Sequence, residues 1–176
     1  MNLEYSPGTP SDLFGKKVRL LVAQMTYPEL VGFLVQHRSL SQAEEDLRDI
    51  GRGICTKLME IWKPKARTVV KLVNQLLKIV WNTKLKYRIA DRTADMKPLN
   101  VQFIDTNCKL CQSEREVIEY QDIRYCSASA GLIEALLNQK AKEGVMKLPY
   151  TSVKVETIGS KASGDPFCIH LCTFNY

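Results

Sequence analysis

A chain of 176 residues with 45% hydrophobic and 25% charged side chains has the length and composition of one ordered domain, and its net charge is +6. It contains no apolar run near the roughly 18 residues that a membrane-spanning helix needs, and its first residues lack the pattern of a secretory signal. We therefore expect an intracellular protein with six reduced cysteines, and neither a membrane-spanning nor a disulfide-bonded secreted chain.

Residues 1–24 are interpreted as an N-terminal arm that is partly disordered or forms a short helix, and residues 25–176 as a single domain. The first helix of that domain follows Thr26 and Glu29, which have the spacing of a capping box. It carries more apolar residues than a short helix buries on one side, which predicts the interface of a heterodimer; a helix within the chain's own core is the alternative. The predicted interface residues are Leu30, Val31, Phe33, Leu34 and Val35.

Two further helices are predicted before residue 82. Ser41 and Glu44 form a second capping box, after which apolar residues recur at three- and four-residue spacing. Gly51 and Gly53 interrupt this long helix, and the close approach of another helix would explain both. A third helix, from about Arg67 to Trp81, is apolar around most of its circumference and is expected to be buried on more than one side. The stripe on the long helix consists of Leu47, Ile50, Ile54, Leu58 and Ile61.

From Val101 the pattern changes to strands. Val101–Ile104 and the shorter Glu116–Tyr120 are predicted as strands, and Ser127–Lys142 as a helix. Two alternating segments, 150–158 and 167–174, flank a turn-rich connector and predict an antiparallel hairpin. This order of elements predicts an α+β fold with a helical layer packed on a mainly antiparallel four-stranded sheet.

The cysteines give a weak indication of a metal site. Cys108 and Cys111 form a Cys-x-x-Cys pair, whereas a tetrahedral zinc site typically takes its ligands from two short pairs. On a strand, Cys168 and Cys172 would lie about 13 Å apart and could not share one ion. We therefore predict no metal and no cofactor, with Cys108 and Cys111 as the weak candidates for a metal site.

The sequence does not contain a recognisable catalytic constellation. Nothing in it activates a cysteine beside His37 or His170, and phosphate-binding glycine loops are absent. His170 alternates with Ile169 and Leu171 and is expected on the other face of the sheet. We predict that the protein is not an enzyme.

Basic residues are concentrated between Lys63 and Arg92, where nine of them accompany one acid, Asp91. This stretch therefore carries +8 and the rest of the chain −2. A cationic surface attracts anionic lipid or an acidic partner, although charge runs also form solvated helix faces. No motif supports nucleic-acid binding. The predicted contact residues are Lys63, Lys65, Arg67, Lys84, Lys86 and Arg88.

Three segments resemble the small α/β subunits of TRAPP, the transport protein particle. Asp49–Leu58 is similar to a glycine-containing helix of that family, although its two glycines are closer together than in the family pattern. Lys71–Trp81 resembles the following helix with its late tryptophan. Tyr125–Leu137 resembles the helix that precedes the two final strands, and within it Cys126 and Ala130–Ala135 favour the subunit-five branch.

The resemblance implies a helical layer on a twisted four-stranded antiparallel sheet and a helix-mediated heterodimer with a sister subunit. It also implies a scaffold role in a vesicle-tethering complex that activates a Rab-type GTPase in ER-to-Golgi or Golgi trafficking, at the cytoplasmic side of those membranes. One family member carries an acylated cysteine before its third helix, whereas Lys63–Arg67 contains no cysteine. A small ligand- or metal-binding regulatory domain with the same fold is the alternative function.

Overall fold

The computed structural model describes residues 26–111 and 122–176. The predicted arm at 1–24 and the strand predicted at 116–120 lie outside these residues. Among the described helices, none combines the length and the hydropathy that a membrane crossing requires. The elements, in chain order, are α1 (26–37), α2 (Leu40–Ile61), α3 (Val69–Trp81), β1 (Lys86–Arg92), β2 (Pro98–Asp105), α4 (Ser127–Lys142), β3 (Ser152–Gly159) and β4 (Cys168–Asn175).

The four strands form one antiparallel sheet in the order β1-β2-β4-β3. The predicted hairpin is confirmed as β3 and β4, with Val155 paired to Cys172. Strand β1 is not expected from the sequence. It lies at the edge of the sheet with all of its residues exposed, so it lacks the apolar alternation by which a half-buried strand is recognised. The predicted α+β class with an antiparallel four-stranded sheet is confirmed.

The inward face of β4 differs from the face that the apolar pattern suggests. Cys168, His170, Cys172 and Phe174 are buried beneath the helices, while the residues between them are partly exposed. The alternation is as expected, but His170 points into the core. Two thiols, an imidazole and one phenyl ring fill this face, and hydropathy alone does not identify such a set as the buried one.

Helices α2 and α4 pack with their backbones in close contact. A Cβ atom added to Gly51 would lie 2.0 Å from the backbone oxygen of Ala128, and one added to Gly131 would lie 2.0 Å from that of Arg48. The prediction of a close helix approach is therefore correct for Gly51. It is wrong for Gly53, where an added Cβ meets no atom within 4 Å.

The start of α2 also differs from the predicted capping box at Ser41. The N-cap is Ser39, whose side chain accepts a hydrogen bond from the backbone N–H of Gln42 at 3.4 Å.

Helix α3 begins at Val69 and buries one face, while Lys71 and Ile79 are exposed. This helix is consequently less enclosed than its apolar composition suggests.

The buried row of α2 runs obliquely along the helix. Its members follow one another every four residues, and each step of four rotates the row by about 40° because a turn takes 3.6 residues. The apolar stripe predicted from the sequence therefore diverges from the buried row and emerges into solvent along the second half of α2, where Ile54 is 44% and Ile61 is 85% exposed. The buried row consists of Ala43, Leu47, Gly51, Cys55 and Met59.

A four-cysteine cluster and two candidate contact surfaces

Four of the six cysteines converge at one place in the fold. Cys108 and Cys111 lie in the turn after β2, Cys126 is the N-cap of α4, and Cys168 is the first residue of β4. Each contributes one sulfur atom, and all four sulfur atoms lie within 4.8 Å of one another. We call this group the four-cysteine cluster.

The order of the strands explains why residues so distant in sequence meet. Strands β2 and β4 are neighbours, and Asp105 at the end of β2 pairs with Cys168 at the start of β4. The Cys-x-x-Cys turn that follows Asp105 is therefore beside Cys168. Cys126 completes the group because α4 begins at the same end of the sheet.

Spacing along the sequence reveals only half of this group. It correctly separates Cys168 from Cys172, because Cys172 lies further along β4 in the main core together with Cys55. It does not connect Cys168 with Cys126, because these residues are 42 positions apart and no rule of sequence spacing describes a tertiary contact over that separation. The two weak candidates from the sequence, Cys108 and Cys111, are thus only part of the group.

The cluster is almost completely buried. Cys108, Cys126 and Cys168 are buried, and Cys111 is 9% exposed. The surrounding side chains are mainly aliphatic and aromatic and form a second core beside the main one. They are Val31, Leu34, Ala43, Leu47, Leu110, Ile123, Tyr125, Ala128 and Ala162.

Hydrogen bonds connect the sulfur atoms to one another and to the chain after β3. The sulfur atoms of Cys111 and Cys168 are 3.4 Å apart. The backbone N–H of Lys161 donates to the Cys168 sulfur at 3.3 Å, and the Ser160 hydroxyl lies 3.6 Å from the Cys111 sulfur. An amide N–H directed at a sulfur stabilises its thiolate form.

The thiols also change one another's acidity. The pKa of Cys111 is lowered, first by a hydrogen bond from the Cys108 thiol and then by those from Cys126 and Cys168. The hydrogen bond with Cys111 raises the pKa of Cys108, and the hydrogen bonds with Cys108 and Cys111 raise that of Cys126, above the pKa of a free thiol. These contacts favour the thiolate form at Cys111 over the thiolate forms at Cys108 and Cys126.

Each histidine ring has a hydrogen-bond partner within the fold. Burial lowers the pKa of His170 to about 4, so its ring is neutral at pH 7, and its Nδ1 lies 3.2 Å from the Thr157 hydroxyl. His37 is exposed at the end of α1, where its Nδ1 hydrogen-bonds to the Phe33 backbone oxygen at 2.8 Å. Burial likewise raises the pKa of Cys55 to about 11, which makes that thiol a poor nucleophile.

The predicted interface residues of α1 divide into two groups. Val31 and Leu34 are buried in the second core of this chain, and Leu30 and Val35 pack against it. Phe33 points away from that core with 59% of its surface exposed, and its ring stacks on His37. Within α1, partner binding therefore stays a prediction that depends on Phe33, because the other four contribute to this chain's own packing.

The predicted basic contact residues are all exposed, but they form two groups. The first lies between α2 and α3, and the second lies after α3 and on β1. Because α3 has 13 residues, the groups are separated by a helix about 20 Å long. Two members are partly engaged. The Lys63 ammonium donates to the Met59 backbone oxygen near the end of α2 at 2.6 Å, and Arg88 Nε donates to the Gln102 side-chain oxygen at 2.6 Å.

Comparison with known proteins identifies the fold. No protein-family model and no curated protein matches the sequence. The structure is similar to that of a trafficking protein particle complex subunit 3 from Naegleria fowleri, which was solved covalently bound to palmitic acid. The two share 12% sequence identity and a TM-score of 0.67, over 91% of this chain and 97% of that one. The helical layer on a four-stranded antiparallel sheet is therefore a TRAPP small-subunit fold.

Proposed function

We propose that this chain is a non-catalytic scaffold subunit of a TRAPP-like vesicle-tethering complex. The likeness in fold to a TRAPP subunit supports the class of assembly. The observation that carries the proposal is the apolar stripe of α2, which leaves the core and is exposed at Ile54 and Ile61. An amphipathic helix with an uncovered apolar strip is suited to bind another helix.

The position of this stripe favours a helical partner. Ile54 and Ile61 are seven residues apart, so they lie on one side of α2 two turns from each other. Leu58 lies between them and is half-buried. A partner helix that covers these side chains removes apolar surface from water, which is worth roughly 25 cal/mol for each square ångström. A sister subunit with the same fold offers such a helix.

The remaining parts of the proposal concern the membrane and the branch of the family. The two basic groups beside α3 would contact an anionic membrane or an acidic partner at the cytoplasmic side of the ER or Golgi. The complete assembly, rather than this chain, would support activation of a Rab-type GTPase. Within the family, Cys126 and the segment Ala130–Ala135 favour the subunit-five branch. Lys63–Arg67 offers no cysteine for acylation.

The test compares two isoleucines of similar exposure on different surfaces. Ile54 on α2 is 44% exposed, and Ile158 on the outer face of β3 is 42% exposed. Tagged wild type, Ile54→Lys and Ile158→Lys are purified from the native cells, and mass spectrometry identifies the associated chains. We expect wild type and Ile158→Lys to recover other small subunits of the same fold, and Ile54→Lys to lose them.

Circular dichroism of the three proteins checks that folding is unaffected. Retention of every partner by a folded Ile54→Lys protein would exclude the α2 stripe as the interface. Recovery of no small subunit by the wild type would exclude the TRAPP-like assembly itself.

A further inference from the structure

We propose that Cys108, Cys111, Cys126 and Cys168 bind one Zn²⁺ ion as four thiolates, at a structural site that joins the sheet to the helical layer. This inference is independent of the proposed scaffold function. It follows from the geometry of the cluster, from the chemistry of its ligands and from the elements that supply them.

The spacing of the sulfur atoms suits a single ion. A tetrahedral zinc site with zinc–sulfur bonds of about 2.3 Å places its sulfur atoms roughly 3.8 Å apart. In the cluster, Cys111 and Cys168 are 3.4 Å apart, and all four sulfur atoms lie within 4.8 Å of one another. A disulfide requires a sulfur–sulfur distance of about 2.05 Å and would engage only two of the four thiols.

The ligand set selects the metal. Four thiolates without a carboxylate or an imidazole form a soft, tetrahedral site, which favours zinc over magnesium or calcium. In apolar surroundings, several thiolates are stable only if a cation compensates their charge. A divalent ion provides that charge at the centre of the cluster.

The groups around the cluster support thiolate ligands. Cys126 stands at the N-terminus of α4, where the helix dipole favours negative charge. The backbone N–H of Lys161 donates to the Cys168 sulfur, and the Ser160 hydroxyl is beside the Cys111 sulfur. Hydrogen bonds of this kind orient metal ligands and strengthen binding.

The proposed ion has a structural role because the protein supplies all four ligands. A catalytic zinc site keeps one position open for water or substrate, and this site does not. The ligands come from the turn after β2, from the start of α4 and from the start of β4. One ion therefore connects two neighbouring strands to the helix that covers them, and holds the chain on both sides of the segment between Cys111 and Cys126.

The first experiment measures metal in the wild-type chain. The full chain is purified under reducing conditions without chelator, and its metal content is determined by inductively coupled plasma mass spectrometry. We expect about one zinc ion per chain and no disulfide among the four cysteines. Exchange for Co²⁺ should give the sulfur-to-cobalt charge-transfer band and the strong visible bands of a tetrahedral tetrathiolate site. Purified protein that contains no zinc and binds neither Zn²⁺ nor Co²⁺ would overturn the proposal, as would a site occupied by iron.

The second experiment uses two cysteines of the same strand. Cys168 and Cys172 are both fully buried on the inner face of β4, but only Cys168 belongs to the cluster. We expect Cys168→Ala to reduce bound zinc to near zero and Cys172→Ala to retain the wild-type amount. Loss from both variants or from neither contradicts the assignment. If Cys168→Ala is insoluble, the cobalt spectrum of the wild type decides, because a site with fewer than four sulfur ligands would overturn the proposal.

Discussion

Gly51 of α2 and Gly131 of α4 lie at the same crossing of the two helices, and each faces the backbone of the other helix. An added Cβ at either position would lie 2.0 Å from a backbone oxygen across the contact, which is far inside van der Waals distance. The pair therefore determines how closely α2 approaches the helix that covers the sheet. Because α4 begins at Cys126, the distance between α2 and α4 also determines where this member of the four-cysteine cluster lies.

The first prediction contrasts two glycines of α2. Gly51→Ala should lower the free energy of unfolding by about 1–3 kcal/mol, because the backbones must separate to admit the methyl group. Gly53→Ala should raise it by up to about 1 kcal/mol, because that position is open and alanine favours a helix over glycine. Urea unfolding of both variants measures the difference. Effects of the same sign and size would show that the helix contact is not tight.

The second prediction concerns Glu134, which links three elements. Its carboxylate accepts a hydrogen bond from Arg52 Nε at 2.9 Å and another from the backbone N–H of Val155 at 2.8 Å. Glu134→Gln should lower the free energy of unfolding by about 1–3 kcal/mol in this mostly buried position, because the negative charge is lost and one accepting oxygen is replaced by an NH₂ group that cannot accept a hydrogen bond. Chemical denaturation at pH 7 provides the measurement.

The control for Glu134 is an exposed ion pair on α2. Glu60 contacts Lys57 at 2.9 Å with both side chains largely in solvent. Glu60→Gln should change the free energy of unfolding by less than about 0.5 kcal/mol. Equal effects of the two substitutions would mean that Glu134 has no structural role beyond an ordinary surface carboxylate.

The third prediction separates folding from partner binding on α1. Phe33→Asp should leave the chain folded, because the ring is exposed, but should weaken recovery of partner subunits in a pull-down. Val31→Asp should unfold the domain or make it insoluble, because it places a charge in the second core. Circular dichroism and the pull-down are performed on the same preparations. An insoluble Phe33→Asp protein would mean that this ring is also part of the core.

The fourth prediction concerns the two basic groups beside α3. Binding to vesicles with anionic lipid should weaken steeply as salt increases, since each exposed basic residue near such a surface contributes about 1 kcal/mol. Changing either group to glutamate should weaken binding, and the loss should be larger when both groups are changed. Vesicle flotation at several salt concentrations measures the effect. Vesicle binding that depends on neither the salt concentration nor the lipid charge would rule out an electrostatic contact. The groups are Lys63, Lys65 and Arg67, and Lys84, Lys86 and Arg88.

The sequence predicted several local features correctly, because each depends on residues close together in the chain. The helix Ser127–Lys142 and the hairpin of β3 and β4 follow from apolar periodicity and from the turn residues between the strands. The close packing at Gly51 follows from the cost of glycine within a helix. The edge strand β1 could not be predicted in this way, because a strand that buries neither face shows no alternation of apolar and polar residues.

Only the tertiary structure decided which apolar residues of α2 remain exposed and which cysteines belong together. The stripe of α2 is continuous in sequence, but the packing of α4 follows a row that rotates about 40° every four residues and leaves Ile54 and Ile61 exposed. The four-cysteine cluster depends on the neighbouring positions of β2 and β4 and on the start of α4 beside them. Spacing along the chain identifies a site when one turn or one helix supplies its ligands. It does not identify a site whose ligands meet only because two strands that are distant in sequence are hydrogen-bonded side by side.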